Sequence, residues 1–353
     1  MKLGNKNLPV GLVQGGMGIG ISMGNLAGHV ARCGGMGVIS TANTGFRDPH
    51  FVRSPIQSNQ ISLMKEIRKA RDLSQGRGLI AINAMVATTG CDIQISQAIQ
   101  AGIDCIIAGA GLPVKLPELV GDRDIAIAPI VSSGRAIDSI TRYWMRRYKR
   151  APDFVIVEGP EAGGHLGFAP EELHRPPSLE SIVAEVHKVL IPLEESQGRR
   201  IPIFAAGGVN TRSRVEQLRR VGATGIQLGS RFVATHECDA SDGFKEMFVK
   251  HSSQDLVIIK SPAGLPGRAI RTNLIEALKK VPRIPPNHCV DCLITCEPAK
   301  TTFCISRALA EAQRGNEVEG LFFAGHGIDA VTEITSVEAV FDEFMPNWRD
   351  SWR

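Results

Sequence analysis

The chain has 353 residues and a net charge of +4, from 40 Lys and Arg against 36 Asp and Glu. That length suits about two average domains, or one large barrel with an appendage. So small a charge argues against a nucleic-acid binder, which needs a strong basic stripe. With no run of 18 apolar residues and no apolar signal core, the expectation is a cytoplasmic protein that does not contact membranes.

In chain order, short apolar runs rich in β-branched residues alternate with helical stretches. The predicted strands are Val10–Val13, Gly37–Ile39, Leu79–Ile82, Cys105–Ala108, Ile125–Val131, Phe154–Val157, Ile203–Ala205 and Gly225–Leu228. Each is apolar on both faces, as buried parallel strands are. Helices are predicted at Asn25–Cys33, Ser62–Ser74, Ile93–Ala101, Arg135–Arg147, Ser178–Leu193 and Thr211–Val221. Asn25, Ser178 and Thr211 serve as their N-cap signals. The basic run Arg142, Arg146, Arg147, Lys149 and Arg150 reads as the solvated C-terminal end of a helix. Eight strand–helix units in a row predict an α/β fold, a (β/α)8 TIM barrel over residues 1–234. Residues 235–320 change character and predict a small appended domain, and residues 321–353 return to the barrel.

Active sites of such barrels sit at the C-terminal ends of the strands. Long connections there, at Thr41–Gln60, Gly109–Gly121 and Gly159–Pro177, read as irregular binding loops. Phosphate is commonly held between the loops after strands seven and eight. Here those loops read Ala206-Gly207-Gly208-Val209 and Gly229-Ser230-Arg231-Phe232. Gly207 and Gly208 can turn backbone N–H groups toward an anion, and Ser230 adds a hydroxyl. Arg231 either pairs with the phosphate or braces the loop. The run from Gly325 to Ala330 fits G-x-G-x-x-A, but lacks the strand and acidic residue of a dinucleotide fold.

Taken together, these pieces resemble the nitronate monooxygenase (2-nitropropane dioxygenase-like) family, related to flavin-type enoyl-acyl-carrier-protein reductases. The pieces are Val13-Gln14-Gly15-Gly16-Met17, Asn83, the run Glu158 to His165, the two phosphate loops and Pro266-Gly267-Arg268-Ala269-Ile270. The resemblance implies an FMN cofactor at the barrel mouth. Gln14, Gly15, Gly16, Met17 and Asn83 would lie at the flavin, Glu161 and Gly164 on the loop beside it, and Gly207, Gly208, Gly229 and Ser230 at its phosphate. It implies His165 as catalytic base or substrate-orienting group, suited by an ordinary histidine pKa near 6.5. Many members of the family carry Gly-Pro-Met-Ala where this chain has Gly15-Gly16-Met17-Gly18, a change near the flavin face.

The expected activity is FMN-dependent oxidation of alkyl nitronates or nitroalkanes with O2. The alternatives are an NAD(P)H-dependent reductase of enoyl thioesters and, in another class, a non-redox phosphate-binding barrel or flavin-binding sensor. Small molecules, NAD(P)H among them, are the expected partners, and no oligomeric state follows. Four of the eight cysteines, Cys289, Cys292, Cys296 and Cys304, crowd one window. Their spacing C-x2-C-x3-C-x7-C suits zinc or an iron–sulfur cluster as well as plain thiols.

Overall fold

A computed structural model describes residues 1–352. Eight parallel strands close a barrel: β1 (Leu12–Gln14), β2 (Met36–Ser40), β3 (Leu79–Met85), β4 (Cys105–Gly109), β5 (Ala126–Val131), β6 (Val155–Glu158), β7 (Ile203–Ala206) and β8 (Gly225–Leu228). All eight predicted strands are present, in the expected order around the ring. β8 closes onto β1 through Ile226↔Leu12, Gln227↔Val13 and Leu228↔Gln14.

Period-two alternation explains the double-faced apolar runs. Val38, Ala81, Ile107, Ala128, Ile156 and Phe204 fill the barrel interior. Their neighbours Ile39, Ile80, Ile106, Ile127, Val157 and Ala205 face the helices. Phe154 and Phe204 meet edge to face at 5.7 Å within the interior.

The helices around the barrel are α1 (Gly24–Arg32), α2 (Pro55–Ser74), α3 (Cys91–Gln100), α4 (Gly134–Tyr148), α5 (Leu179–Gln197) and α6 (Arg212–Arg220). Ser178 and Thr211 cap α5 and α6 through the amides of Ser181 and Arg214. Asn25 does not cap α1. It lies inside the helix, and its Nδ2 donates to Glu237 O at 2.8 Å. Asp239, more than two hundred residues away in sequence, takes the cap role. Its carboxylate accepts from the amides of Met23, Asn25 and Leu26. The basic run falls at the end of α4, where Arg142 pairs with Asp138 and Arg150 with Asp153.

The long connections are less irregular than predicted. α2 begins at Pro55, and the stretch after β4 holds a short helix, Leu116–Val120. The Gly159–Pro177 connection contains a two-residue strand, Gly164–His165.

Beyond the barrel come α7 (Asp242–Lys250), β9 (Leu256–Lys260), β10 (Pro266–Ile270), α8 (Asn273–Lys280), α9 (Ile305–Gln313) and α10 (Val337–Phe344). β9, β10 and Gly164–His165 form a three-stranded antiparallel sheet. Ala269, Leu274, Ile275, Leu293, Phe303, Ile305, Ala308 and Leu321 form an apolar cluster apart from the main core. Val337, Val340, Phe341 and Phe344 of α10 belong instead to the core around the barrel. The cysteine-bearing strap is tied over the barrel mouth. Thr88 and Leu293 form an antiparallel bridge, Thr89 N donates to Cys292 O, and Ile294 N donates to Ala87 O. Arg353, the last residue of the predicted C-terminal segment, lies outside the described residues.

Candidate active site

Two cavities meet at the C-terminal mouth of the barrel, where parallel strands deliver their loops. The larger has a volume of about 450 Å3 and reaches Asn83, Ser132, Gly164, His165, Leu293 and Phe323. The smaller has about 120 Å3 and is lined by Gly15, Glu161, Gly207, Gly208, Gln227 and Arg231. Gly16, Met17, Glu158, Gly163, Gly229 and Ser230 line both. The predicted flavin and phosphate residues are thus gathered around one continuous space, with one exception.

The exception is Gln14. Its side chain is fully buried, its Oε1 accepts from Val38 N at 3.0 Å, and its Nε2 donates to Gly15 O. Both ends of the amide are committed to backbone, and Gln14 lines neither cavity.

Close approach explains two of the glycines. A Cβ on Gly16 would stand 2.3 Å from the Cβ of Asn83, so β1 and β3 pinch together beneath the mouth. Gly208 has φ +75°, and a Cβ there would lie 1.8 Å from Glu161 Oε2. Its neighbour Gly207 has φ +86°. Two consecutive left-handed residues curl the turn after β7, a shape that aims backbone N–H groups into a concavity. Glu161 stands beside that turn, with Arg214 at 4.0 Å and His326 at 3.9 Å. Arg231 braces the loop and keeps one nitrogen in reserve, since its Nη1 is buried without a partner among the described residues and the side chain lines the smaller cavity. Its guanidinium holds Glu343 through Nε and Nη2, at 3.0 and 2.7 Å.

His165 does not hang from a free loop. Its backbone pairs with Gly267, and its neighbour Gly164 pairs with Arg268. The loop before it is pinned by the buried Arg268, whose Nη1 donates to Pro160 O and, at 2.6 Å, to Ala162 O. The imidazole Nε2 shares a hydrogen bond with Ser261 Oγ at 2.7 Å. Phe323 meets the ring edge to face at 5.1 Å. Burial pushes the imidazole pKa down to about 4, so the ring is neutral at pH 7 and its Nδ1 is left for other work.

Three polar groups at the cavities escaped the sequence reading as single residues. Glu158, at the end of β6, has a carboxyl that burial lifts to about 7. Gln227 in β8 and Gln94 in α3 each have a buried side-chain oxygen without a partner among the described residues. Gln227 lines the smaller cavity and Gln94 the larger. A lone glutamine inside the apolar run Gly225-Ile226-Gln227-Leu228 was the available signal for the first.

The four clustered cysteines line one small cavity, and Cys292 also lines the large one. Among the described residues, however, no group of three or more His, Cys, Asp or Glu side chains is placed to hold a metal ion. Of the alternatives the spacing left open, zinc or an iron–sulfur cluster finds no support in the arrangement of these side chains. Burial raises the thiols of both Cys292 and Cys296, Cys292 to about 11. Cys33, Cys91, Cys105 and Cys238 are buried free thiols elsewhere. No helix is long and apolar enough to cross a membrane.

Comparison with known proteins bears on the family and the fold. A relative from Rhodococcus jostii (strain RHA1), "(3aS,4S,5R,7aS)-5-hydroxy-7a-methyl-1-oxo-octahydro-1H-indene-4-carboxyl-CoA dehydrogenase", is 23% identical over 270 residues, 76% of this chain and 64% of that protein. A probable nitronate monooxygenase from Bacillus subtilis (strain 168) is 24% identical over 196 residues, 55% of this chain and 51% of that one. The chain thus spans between half and two-thirds of these two relatives. The solved structure of FabK from Thermotoga maritima shares the fold, with a TM-score of 0.72 at 23% identity over 98% of this chain and 94% of that one. The profile of the nitronate monooxygenase family matches residues 5–347, and with a match of that extent the chain belongs to that family, whose members imply a flavin in a TIM barrel.

Proposed function

We propose that the protein is an FMN-dependent oxidoreductase that oxidises alkyl nitronates or nitroalkanes with O2. The observation that carries this reading is the pair of joined cavities, a turn of left-handed glycines in one and a buried neutral histidine on the wall of the other. The residues fit a flavin mononucleotide. Gly207, Gly208, Gly229 and Ser230 would hold its phosphate, and Gly15, Gly16, Met17 and Asn83 would border its ring. The orphaned Oε1 of Gln227 supplies an acceptor with no protein donor, as expected where a ligand hydroxyl completes the set. When bound, FMN supplies an electron acceptor that O2 can reoxidise.

The chain's own residues orient and deprotonate. Ser261 and Phe323 fix the plane of His165. With Nε2 donating to Ser261, Nδ1 is a free base for a carbon-bound proton of a nitroalkane. The strap over the mouth is anchored at Thr88 and Thr89 and brings Leu293 to the wall of the larger cavity.

One feature favours a second reading, reduction of an activated double bond in a thioester by NAD(P)H. Part of the larger cavity is walled by apolar side chains, Phe244, Phe248, Leu293, Ile305, Leu309 and Leu321, which suit an apolar acyl group better than a small nitroalkane. The Rhodococcus relative is named as a dehydrogenase of a carboxyl-CoA compound, which shares the thioester class of this second reading.

Absorption spectra of the purified protein with FMN test the cofactor, and a colourless protein that takes up none refutes the proposal. Anaerobic bleaching by a nitronate alone supports the first reading. Bleaching by NADH or NADPH with turnover of an enoyl thioester supports the second.

A further inference from the structure

The inward face of α3 carries one residue out of keeping with its neighbours. Its buried residues are Cys91, Gln94, Ile95 and Ala98, at the i, i+3, i+4, i+7 spacing of an apolar stripe. A carboxamide in such a stripe is costly to bury unless its donor and acceptor are met. The other buried glutamines find partners. Gln14 bonds Val38 N and Gly15 O, and Gln313 Nε2 donates to Asp239 O at 3.3 Å. Gln94 is as enclosed, at 5% exposure, yet its Oε1 is buried with no partner among the described residues.

Nearby side chains do not fill the gap. Thr88 Oγ1 is committed to Met85 O at 2.7 Å, and the hydroxyl of Thr89 does not bond Gln94 Oε1. The helix holds the residue in place from its first turn, where Gln94 N donates to Gly90 O at 3.0 Å. Gln94 forms part of the wall of the larger cavity, so the missing partner is a group on whatever fills that cavity.

The wall restricts what that group can be. Among the described residues no Lys, Arg or Asp lines the larger cavity. Its one carboxylate, Glu158, ends β6, on the same strand connection as His165. Gln94 follows β3, three places around the ring from β6. A charged tail beside Gln94 would find no counter-ion, and burying it there is costly. A carboxamide oxygen accepts and its NH2 donates, so the match is an uncharged group that does both, a hydroxyl or another carboxamide. A ligand whose reacting carbon lies at His165 meets Gln94 with a different, remote part.

We propose that Gln94 determines substrate specificity by binding an uncharged hydroxyl or carboxamide that an apolar segment separates from the reacting carbon. The inference rests on the reading of the larger cavity as the substrate site and adds to it the polar end that the substrate carries.

Matched pairs of nitroalkanes and ω-nitroalkanols, three to eight carbons long, probe the cavity. Their dissociation constants are measured anaerobically by titration calorimetry with protein given saturating FMN, for the wild type, Gln94→Met and Gln94→Asn. Urea midpoints are compared in parallel to establish that each variant is folded, and flavin absorbance is followed in the same samples. A site built around a hydrogen bond rejects the analogue that lacks it. At chain lengths that reach from His165 to Gln94, the wild type should bind the alcohol about 10- to 100-fold more tightly than the alkane. Gln94→Met should lose that preference or reverse it. Gln94→Asn withdraws the amide by one methylene, and its preferred alcohol should be about one carbon longer.

Equal binding of both members of every pair by the wild type overturns the inference. So does a preference that persists undiminished in Gln94→Met. Should Gln94→Met not fold, an unshifted optimum in Gln94→Asn overturns it instead. Flavin that stays oxidised with every probe counts against oxidation of nitro compounds, whatever the binding constants show, so the two readings fail separately.

Discussion

Arg268 offers the sharpest test of how the candidate base is held in place. Its guanidinium is buried, and it bridges two carbonyls of the loop that leads to His165. Hydrogen bonds from a charged donor contribute about 1.5–3 kcal/mol each. Part of that gain is offset by the cost of keeping an arginine out of water with no carboxylate in direct contact. Arg268→Met keeps the apolar stem, removes both bonds and leaves the carbonyls of Pro160 and Ala162 without this partner. A net loss of about 2–4 kcal/mol follows. Urea unfolding followed by tryptophan fluorescence should show the midpoint falling by roughly 1 M, taking a slope of about 3 kcal/mol per M. Hydrogen exchange should localise the effect. Amides over residues 160–167 should exchange about 30- to 1000-fold faster, the same free energy at 1.4 kcal/mol per factor of ten. An unchanged midpoint together with unchanged exchange in that loop would refute the bridging role. Arg268→Lys, which lacks the planar fork, should fall between the two.

Gly208→Ala places a methyl group against Glu161 at a left-handed position. FMN affinity by fluorescence quenching should drop at least tenfold, while Gly198→Ala, also left-handed but facing open space, should leave it unchanged. For His165, burial puts the folded pKa near 4 against 6.5 in the unfolded chain. The unfolded state therefore binds the extra proton first, and stability falls as pH drops from 6.5 toward 4. His165→Gln should flatten that acid limb in urea midpoints measured against pH. It should also lower kcat about 10^2- to 10^4-fold, and a variant of full activity would sink the catalytic assignment. Asp239→Ala removes the distant cap of α1 and should cost about 1–2 kcal/mol in unfolding measurements. A change below about 0.5 kcal/mol would mean that solvent replaces the cap.

The barrel was legible because its strands are buried on both faces. Residues 79–82 and 125–131 read as apolar runs whatever their neighbours do, so local composition reports the sheet. Turn chemistry likewise marked Gly207-Gly208, where the backbone conformation itself demands glycine. What stayed hidden depends on partners far away in sequence. Nothing near Asn25 announces that Asp239 will cap α1, and nothing near His165 announces Ser261 or the pairing with Gly267. Gln14 misled for a related reason. A polar residue beside a glycine loop looks like a ligand group until its two backbone partners are seen. The cysteine spacing suited a centre as well as plain thiols, yet among the described residues no three metal-ligating side chains come together there.

The short strand carrying His165 is an edge of the sheet that belongs to the outer layer, through β10. His165 and the outer sheet are therefore one mechanical unit. Any motion that lifts β9 and β10 from the mouth must either break two residue pairings or draw the imidazole away with the sheet. Displacing that sheet would therefore also move a wall of the larger cavity.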